Sequence, residues 1–486
     1  MFVFGVTGII NRALGFFLIP IYTYHIRPRE YGVLAILMIV LAAIPLVLRM
    51  GLGNALLRSW YDYEENERPQ LATTVLIFLL ITSIPILLIL AYFAPQTSIY
   101  IFESNSYTQH LRCIYILAFL EIFNVVPDTL LRLRNASVQY SICQTISFII
   151  QLITNISLVV YWEMGIQGVL IANLVGATIE NTMMFIITVP QMKWGFNTVE
   201  LKKMLVFGAP LIFGRLSAIC FQWIDRFFLK YYTDLRQVGL YTLGNQLTTP
   251  ISLLISVPFG MIWANMQVSV MKDTDAKEYY ARMLTYVVYG SSFLALGLSI
   301  LVEDVLRIFA TAKYWEAATI VPWLALAAVF DVANPTLGIG ISLLRKSYFS
   351  PIIVALAALS NVVLNFFLIP RMGMKGAAIA TLISYIIISC LRYFISNRLM
   401  HIDYEWGRVA KVFVLAGILF FISKIIIIER PIISFLIKLP LTFLLPFLLI
   451  LVNFYDEKEK LKIQELIIHA KNQIQERFIK KYNQQT

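Results

Sequence analysis

Hydrophobicity that returns about every 20 residues constrains this chain more than any other feature. From Val3 to Asn453 nearly every such stretch is apolar enough to cross a bilayer, whose hydrocarbon core needs roughly 20 apolar residues per helix. Of the 486 residues, 59% are hydrophobic and 14% charged, which excludes a soluble domain. In lipid only helices and closed barrels satisfy their backbone groups. These segments are too long and too evenly apolar for the alternating strands of a barrel. The sequence predicts an all-α polytopic membrane protein with about fourteen transmembrane helices. Nothing before Val3 has the form of a cleaved leader, so the first helix is expected to be retained.

The net charge of +11 points to lipid rather than to nucleic acid, because excess Lys and Arg in a membrane protein collects in cytoplasmic loops. With the N-terminus inside, about 24 basic residues fall on the cytoplasmic side and about 11 outside. Both termini are therefore expected in the cytoplasm. Hydrophilic loops are short and leave no room for an extramembrane catalytic domain. P-loop, zinc-protease, nucleophile-elbow and kinase patterns are absent from the sequence. Four scattered histidines fit no metal spacing, and the four cysteines lie in or beside apolar segments. A transporter is expected rather than an enzyme, with no catalytic residue, metal or organic cofactor.

The chain also repeats itself. Met164-Gly165-x-x-Gly168-x-x-Ile171-Ala172-x-Leu174 recurs as Met372-Gly373-x-x-Gly376-x-x-Ile379-Ala380-x-Leu382, an offset of 208 residues. Pro127 and Pro335 share that offset, and Gly32 and Gly239 nearly do. The division this implies is an N-lobe of six helices (1–200), a C-lobe of six (201–400), two further helices (401–455) and a basic amphipathic cytoplasmic tail (456–486). An even number of helices keeps the halves parallel, and two like bundles can enclose a cavity that opens to either side by rocking.

Ionisable and polar groups inside spans are costly and mark candidate sites. Glu121, Asn124 and Asp128 share one helical face, as do Gln144, Gln151 and Asn155, and Asn173 with Glu180. Arg12 beside Asn11, Arg215, Asp225, Arg226 and Asp331 complete the set. Guanidinium groups bind phosphate through two parallel hydrogen bonds, so a cavity lined by Arg12 and Arg215, with Arg58 near the headgroups, suits an anionic diphosphate. The amides Asn11, Asn124, Gln144, Gln151, Asn155 and Asn173 are the expected sugar contacts. Glu121, Glu180, Asp331, Asp225 and Arg226 are the candidates for coupling to protons or sodium, or for gating.

Several of these segments carry a resemblance. Asn11-Arg12 with Gly15-Phe16-Phe17-Leu18-Ile19-Pro20, Pro28-Arg29-Glu30-Tyr31-Gly32 and the run Gly51 to Arg58 form its first part. Gly208-Ala209-Pro210-Leu211, Asp225-Arg226-Phe227-Phe228-Leu229, Val238-Gly239-Leu240-Tyr241, Leu368-Ile369-Pro370 and Gly373 to Thr381 continue it. In this order the chain resembles the polysaccharide transporter family, the O-antigen flippase-like branch of the multidrug/oligosaccharidyl-lipid/polysaccharide exporter superfamily. The resemblance implies twelve core helices in two lobes, usually with two more. It implies alternating-access flipping of undecaprenyl-diphosphate-linked oligosaccharide repeat units across the bacterial cytoplasmic membrane. Lipid-linked saccharide and membrane lipids are then the partners, with polymerase and glycosyltransferases of the same cell-envelope pathway. The alternative is an ion-coupled multidrug or small-molecule antiporter of the same superfamily.

Overall fold

A computed structural model describes residues 18–460 except residues 66 and 458. Asn11, Arg12 and the amphipathic tail beyond residue 460 lie outside the described residues. Regular structure among the described residues is helical throughout. Twelve stretches there are long and apolar enough to cross a membrane, as expected of a multi-pass membrane protein.

The first half comprises α1 (Pro28–Leu48), the short α2 (Leu52–Ser59), α3 (Arg68–Tyr92), α4 (Ala94–Phe102), α5 (Thr108–Leu133), α6 (Ser137–Ile156) and α7 (Gly165–Thr188). The 35-residue α8 (Thr198–Tyr232) leads into the second half. There follow α9 (Leu235–Leu247), a π-helical turn at Ser252–Ser256 and α10 (Val257–Ser269), which together break one expected span into two helices. Then come α11 (Ala276–Phe309), α12 (Val321–Leu337), the five-residue α13 (Ile339–Leu343), α14 (Phe349–Met372) and α15 (Met374–Leu399). The last pair is α16 (Trp406–Ile425) and α17 (Pro431–Leu451).

The repeat is visible in the backbone. Gly165 and Gly373 both take positive φ, +54° and +56°, at the start of α7 and α15. Three residues on, Gly168 lies against Leu158 and Gly376 against Leu368, so each motif folds its helix tightly back on the preceding one.

The halves meet where α1 crosses α9. A Cβ on Gly32 would lie 1.9 Å from the Leu235 carbonyl oxygen, and one on Gly239 would lie 1.9 Å from that of Pro28. Two glycines at one crossing let the backbones touch, the small-residue packing that membranes favour. Tyr31 donates to Gln246 nearby, and the Tyr314 hydroxyl donates to the Ile26 carbonyl at 3.0 Å. A second close approach joins Gly51 to Gly208, where a Cβ on Gly51 would come within 2.3 Å of the Gly208 carbonyl oxygen. Gly51 also takes φ +69° directly after Met50 at +46°, the sharp break that separates α1 from α2.

The last two helices are tied to α11 by charge. Lys438 of α17 reaches Asp304 at 3.5 Å, with both side chains buried, and Lys424 of α16 pairs with Glu303 at 2.5 Å. Arg408 at the start of α16 holds Glu459 beyond α17 through two hydrogen bonds of 2.9 and 2.7 Å.

Candidate functional site

A cleft of about 530 Å³ opens between the first half and α8. One wall is the last part of α1 with α2; a second is α5; the third is the middle of α8. Glu121, Val125, Asp128, Thr129 and Arg132 line it from α5, spaced as successive turns of one helix face. Arg49 enters from the end of α1, Asn54 from α2 and Arg215 from α8.

Three guanidinium groups thus face two carboxylates. Arg49 pairs with Glu121 at 3.6 Å and also donates to the Glu121 carbonyl. Arg132 pairs with Asp128 at 3.0 Å. Arg215 has no acidic partner among the described residues; its Nη2 reaches only the Asn54 side-chain oxygen, at 3.4 Å. The cleft therefore keeps one uncompensated positive charge, carried by a long exposed side chain. Such a group offers an anion bidentate, charge-assisted hydrogen bonds.

Of the expected residues, Arg215 and Glu121 stand in this cleft. Arg58 does not line it; it lies over the Phe207 ring, 4.4 Å from the centroid. The expected sugar-binding amides that are described lie elsewhere, because each pairs within its own bundle. Asn124 donates to Glu180 at 3.4 Å, Gln144 to Tyr140 at 2.9 Å, and Gln151 to Asn173 at 2.6 Å. Asn155 is buried and donates to Tyr22 at 2.8 Å. Their spacing marked faces that join helix to helix. Arg49, Asn54 and Arg132 were missed as site residues. Arg132 continues the Glu121–Asp128 face by one more turn, and that is the signal that identifies it.

Asp225 and Arg226, two of the candidates for coupling or gating, are buried at 2% and 3% exposure. The Asp225 carboxylate accepts from Tyr241 at 2.5 Å, Asn365 at 2.6 Å and Thr381 at 2.8 Å, so it joins α8, α9, α14 and α15. Arg226 lies over Trp223 and Tyr241, 4.7 and 5.3 Å from their centroids, and donates to the Gln222 carbonyl at 3.1 Å. Asp331, in α12, is exposed and makes no ion pair among the described residues.

The family described as "Polysaccharide biosynthesis protein" matches residues 25–319, which takes in the cleft and the α1–α9 crossing. The chain belongs to this family. The family match covers α1 to α11, and the solved folds extend the likeness across the remaining helices. The structure titled lipid II flippase MurJ, in an inward closed conformation, shares the fold at a TM-score of 0.74 and 15% identity, over 92% of this chain and 98% of that one. An inward-facing multidrug resistance MATE transporter of the MOP superfamily aligns at 0.58 and 15%, over 83% and 98%. A MOP superfamily transporter from Pyrococcus furiosus, described as having a binding pocket of reversed polarity, aligns at 0.58 and 14%, over 84% and 95%. An uncharacterized membrane protein of Methanocaldococcus jannaschii is 24% identical over 212 residues, and the chain spans 41% of that relative's length.

Proposed function

We propose that the chain moves a lipid-linked saccharide bearing a diphosphate across the bacterial cytoplasmic membrane by alternating access, with undecaprenyl diphosphate as the carrier. The observation that carries this reading is Arg215, an unpaired guanidinium in a cleft shared with Arg49 and Arg132. A guanidinium fork binds phosphate oxygens through two parallel hydrogen bonds, and Arg215 offers one with no acid competing for it among the described residues. The α1–α9 and Gly51–Gly208 contacts sit where helices from the two halves must part if the halves rock. Membership of a polysaccharide biosynthesis family supports a saccharide cargo, and the fold shared with a lipid II flippase supports a lipid-linked one. In this reading the termini are cytoplasmic, and proton or sodium coupling falls to Glu121, Glu180, Asp331 or Asp225. Polymerase and glycosyltransferases of the same pathway supply and consume the cargo.

The multidrug antiporter reading draws on the MATE-like fold, but a cleft with three arginines does not suit cationic drugs. Depletion of the protein decides between the two. The flippase reading expects lipid-linked intermediate to accumulate on the cytoplasmic face. Intact glycan export together with altered dye efflux replaces it with the antiporter.

A further inference from the structure

Among the described residues, one ion pair joins the two halves. Lys230, near the end of α8, reaches Glu103, the residue after α4, at 2.6 Å. Lys230 lies 15 residues beyond Arg215, roughly 22 Å along α8, so the pair is remote from the middle of the arginine cleft. It stands instead at the end where α1 crosses α9, beside Arg29 and Leu235. Each partner is fixed to its own half. Five residues before Lys230, Asp225 ties α8 to α9, α14 and α15. On the other side Phe102 is 4% exposed and packs on Tyr107, 4.9 Å between ring centroids, and Ser98 donates to the Ser104 carbonyl at 2.6 Å. Movement of one half against the other therefore acts on this pair.

Two further observations set the pair apart. Glu103 takes φ +58° where α4 ends. A left-handed residue at a helix end is cheapest as glycine or asparagine. Glutamate there bears backbone strain, and the contact its carboxylate makes is the one across the halves. The pair also stands between two cavities, since Glu103 and Lys230 line both. One, of about 490 Å³, is polar and includes Arg29, Asp234 and Arg236. The other, of about 520 Å³, is walled by Tyr100, Phe227, Phe228 and Tyr231. With open space on either side, the two side chains can part without displacing a packed neighbour. The neighbouring α1–α9 crossing is held by backbone contact and uncharged hydrogen bonds. An ion pair with a well-exposed partner is weakly held and screened by salt, which suits a contact that opens and recloses.

We propose that Lys230 and Glu103 form a latch: closed, it holds the halves together at the end remote from the arginine cleft, and its parting lets that end open. The latch rests on the rocking of the halves in the transport reading, and on nothing about the cargo.

Distances between two nitroxides, read by pulsed electron resonance, test it on the full chain in nanodiscs, with the native cysteines replaced by alanine. Gln96→Cys in α4 and Lys313→Cys in the second half, both exposed positions, carry the labels. At low salt the longer-distance population should rise about two- to fivefold in Glu103→Gln. In the parent, about 1 M salt should produce the same rise, because the Debye length falls to about 3 Å. Glu103→Gln should not respond further to salt. The reversed pair, Glu103→Lys with Lys230→Glu, should return to the parent distribution. Equal populations in parent and Glu103→Gln overturn the latch, and so does a reversed pair that stays open. Gly32→Ala separates the two ways of failing. A longer distance there but not in Glu103→Gln rejects the latch alone; one unchanged distance in every variant rejects the rocking and the latch with it.

Discussion

Gly32 and Gly239 face each other so closely that a methyl group on either would overlap a carbonyl oxygen of the opposing helix. No side chain bends to relieve that clash, because the obstacle is backbone on both sides. The contact is therefore sensitive to a single added carbon.

Gly32→Ala should push α1 from α9 at an overpacking cost of about 1–3 kcal/mol. Amide hydrogen exchange in residues 28–34 and 235–241 should rise at least about fivefold, since 1 kcal/mol is already about that factor. Unchanged exchange in both segments would show that the helices do not hold this contact in the membrane.

Arg215→Ala should reduce glycan export about 10- to 100-fold, the worth of a charge-assisted hydrogen bond to the cargo. The side chain is exposed and pairs with no acid among the described residues, so the amount of protein in the membrane should stay the same. Arg215→Lys restores the charge without the fork and should recover only part of the activity. Full export by the alanine variant would remove the diphosphate role.

Lys438→Met leaves Asp304 buried and alone, which should cost about 3–5 kcal/mol. The double variant Lys438→Met with Asp304→Leu removes both charges and should regain most of that loss. Thermal unfolding in nanodiscs checks the order: parent and double variant above the single one.

Glu459 gives a pH dependence outside the membrane spans. Burial opposes its charge, but hydrogen bonds from Tyr286 and Arg408 outweigh it and hold the carboxyl below its ordinary range. A depressed carboxylate stabilises the folded contact above its unfolded value of about 4.3, and that contribution is lost as pH falls through the lower folded value. The protection factors of the amides in residues 456–460, taken against their intrinsic exchange rates, should hold at neutral pH and fall only below about pH 4. Glu459→Gln should lower those protection factors at every pH.

The helical class and the repeated hairpin were legible because both rest on strong local signals. Apolar length fixes a span, and Gly165 and Gly373 mark the same turn twice. The short α2 and the break before α10 were not legible, since an interfacial turn and a π-helical segment leave the hydropathy almost unchanged. The cleft was legible in part. Glu121 and Arg215 stood out as charges deep within apolar runs. Arg49 and Arg132 sit at span ends, where the sequence gives them the same look as any cytoplasmic anchor. The amide stripes misled for the opposite reason: Gln151 and Asn173 share a periodic face, yet a polar face inside a bundle can be satisfied by the neighbouring helix as readily as by a cargo.

The ion pairs from α16 and α17 to α11 have a practical consequence. They rivet α16 and α17 to one half of the molecule, so a fluorophore placed just after Phe454 would ride with that half. A second dye on α2 would then complete a ruler across the arginine cleft, and energy transfer between the two would follow each turnover in real time.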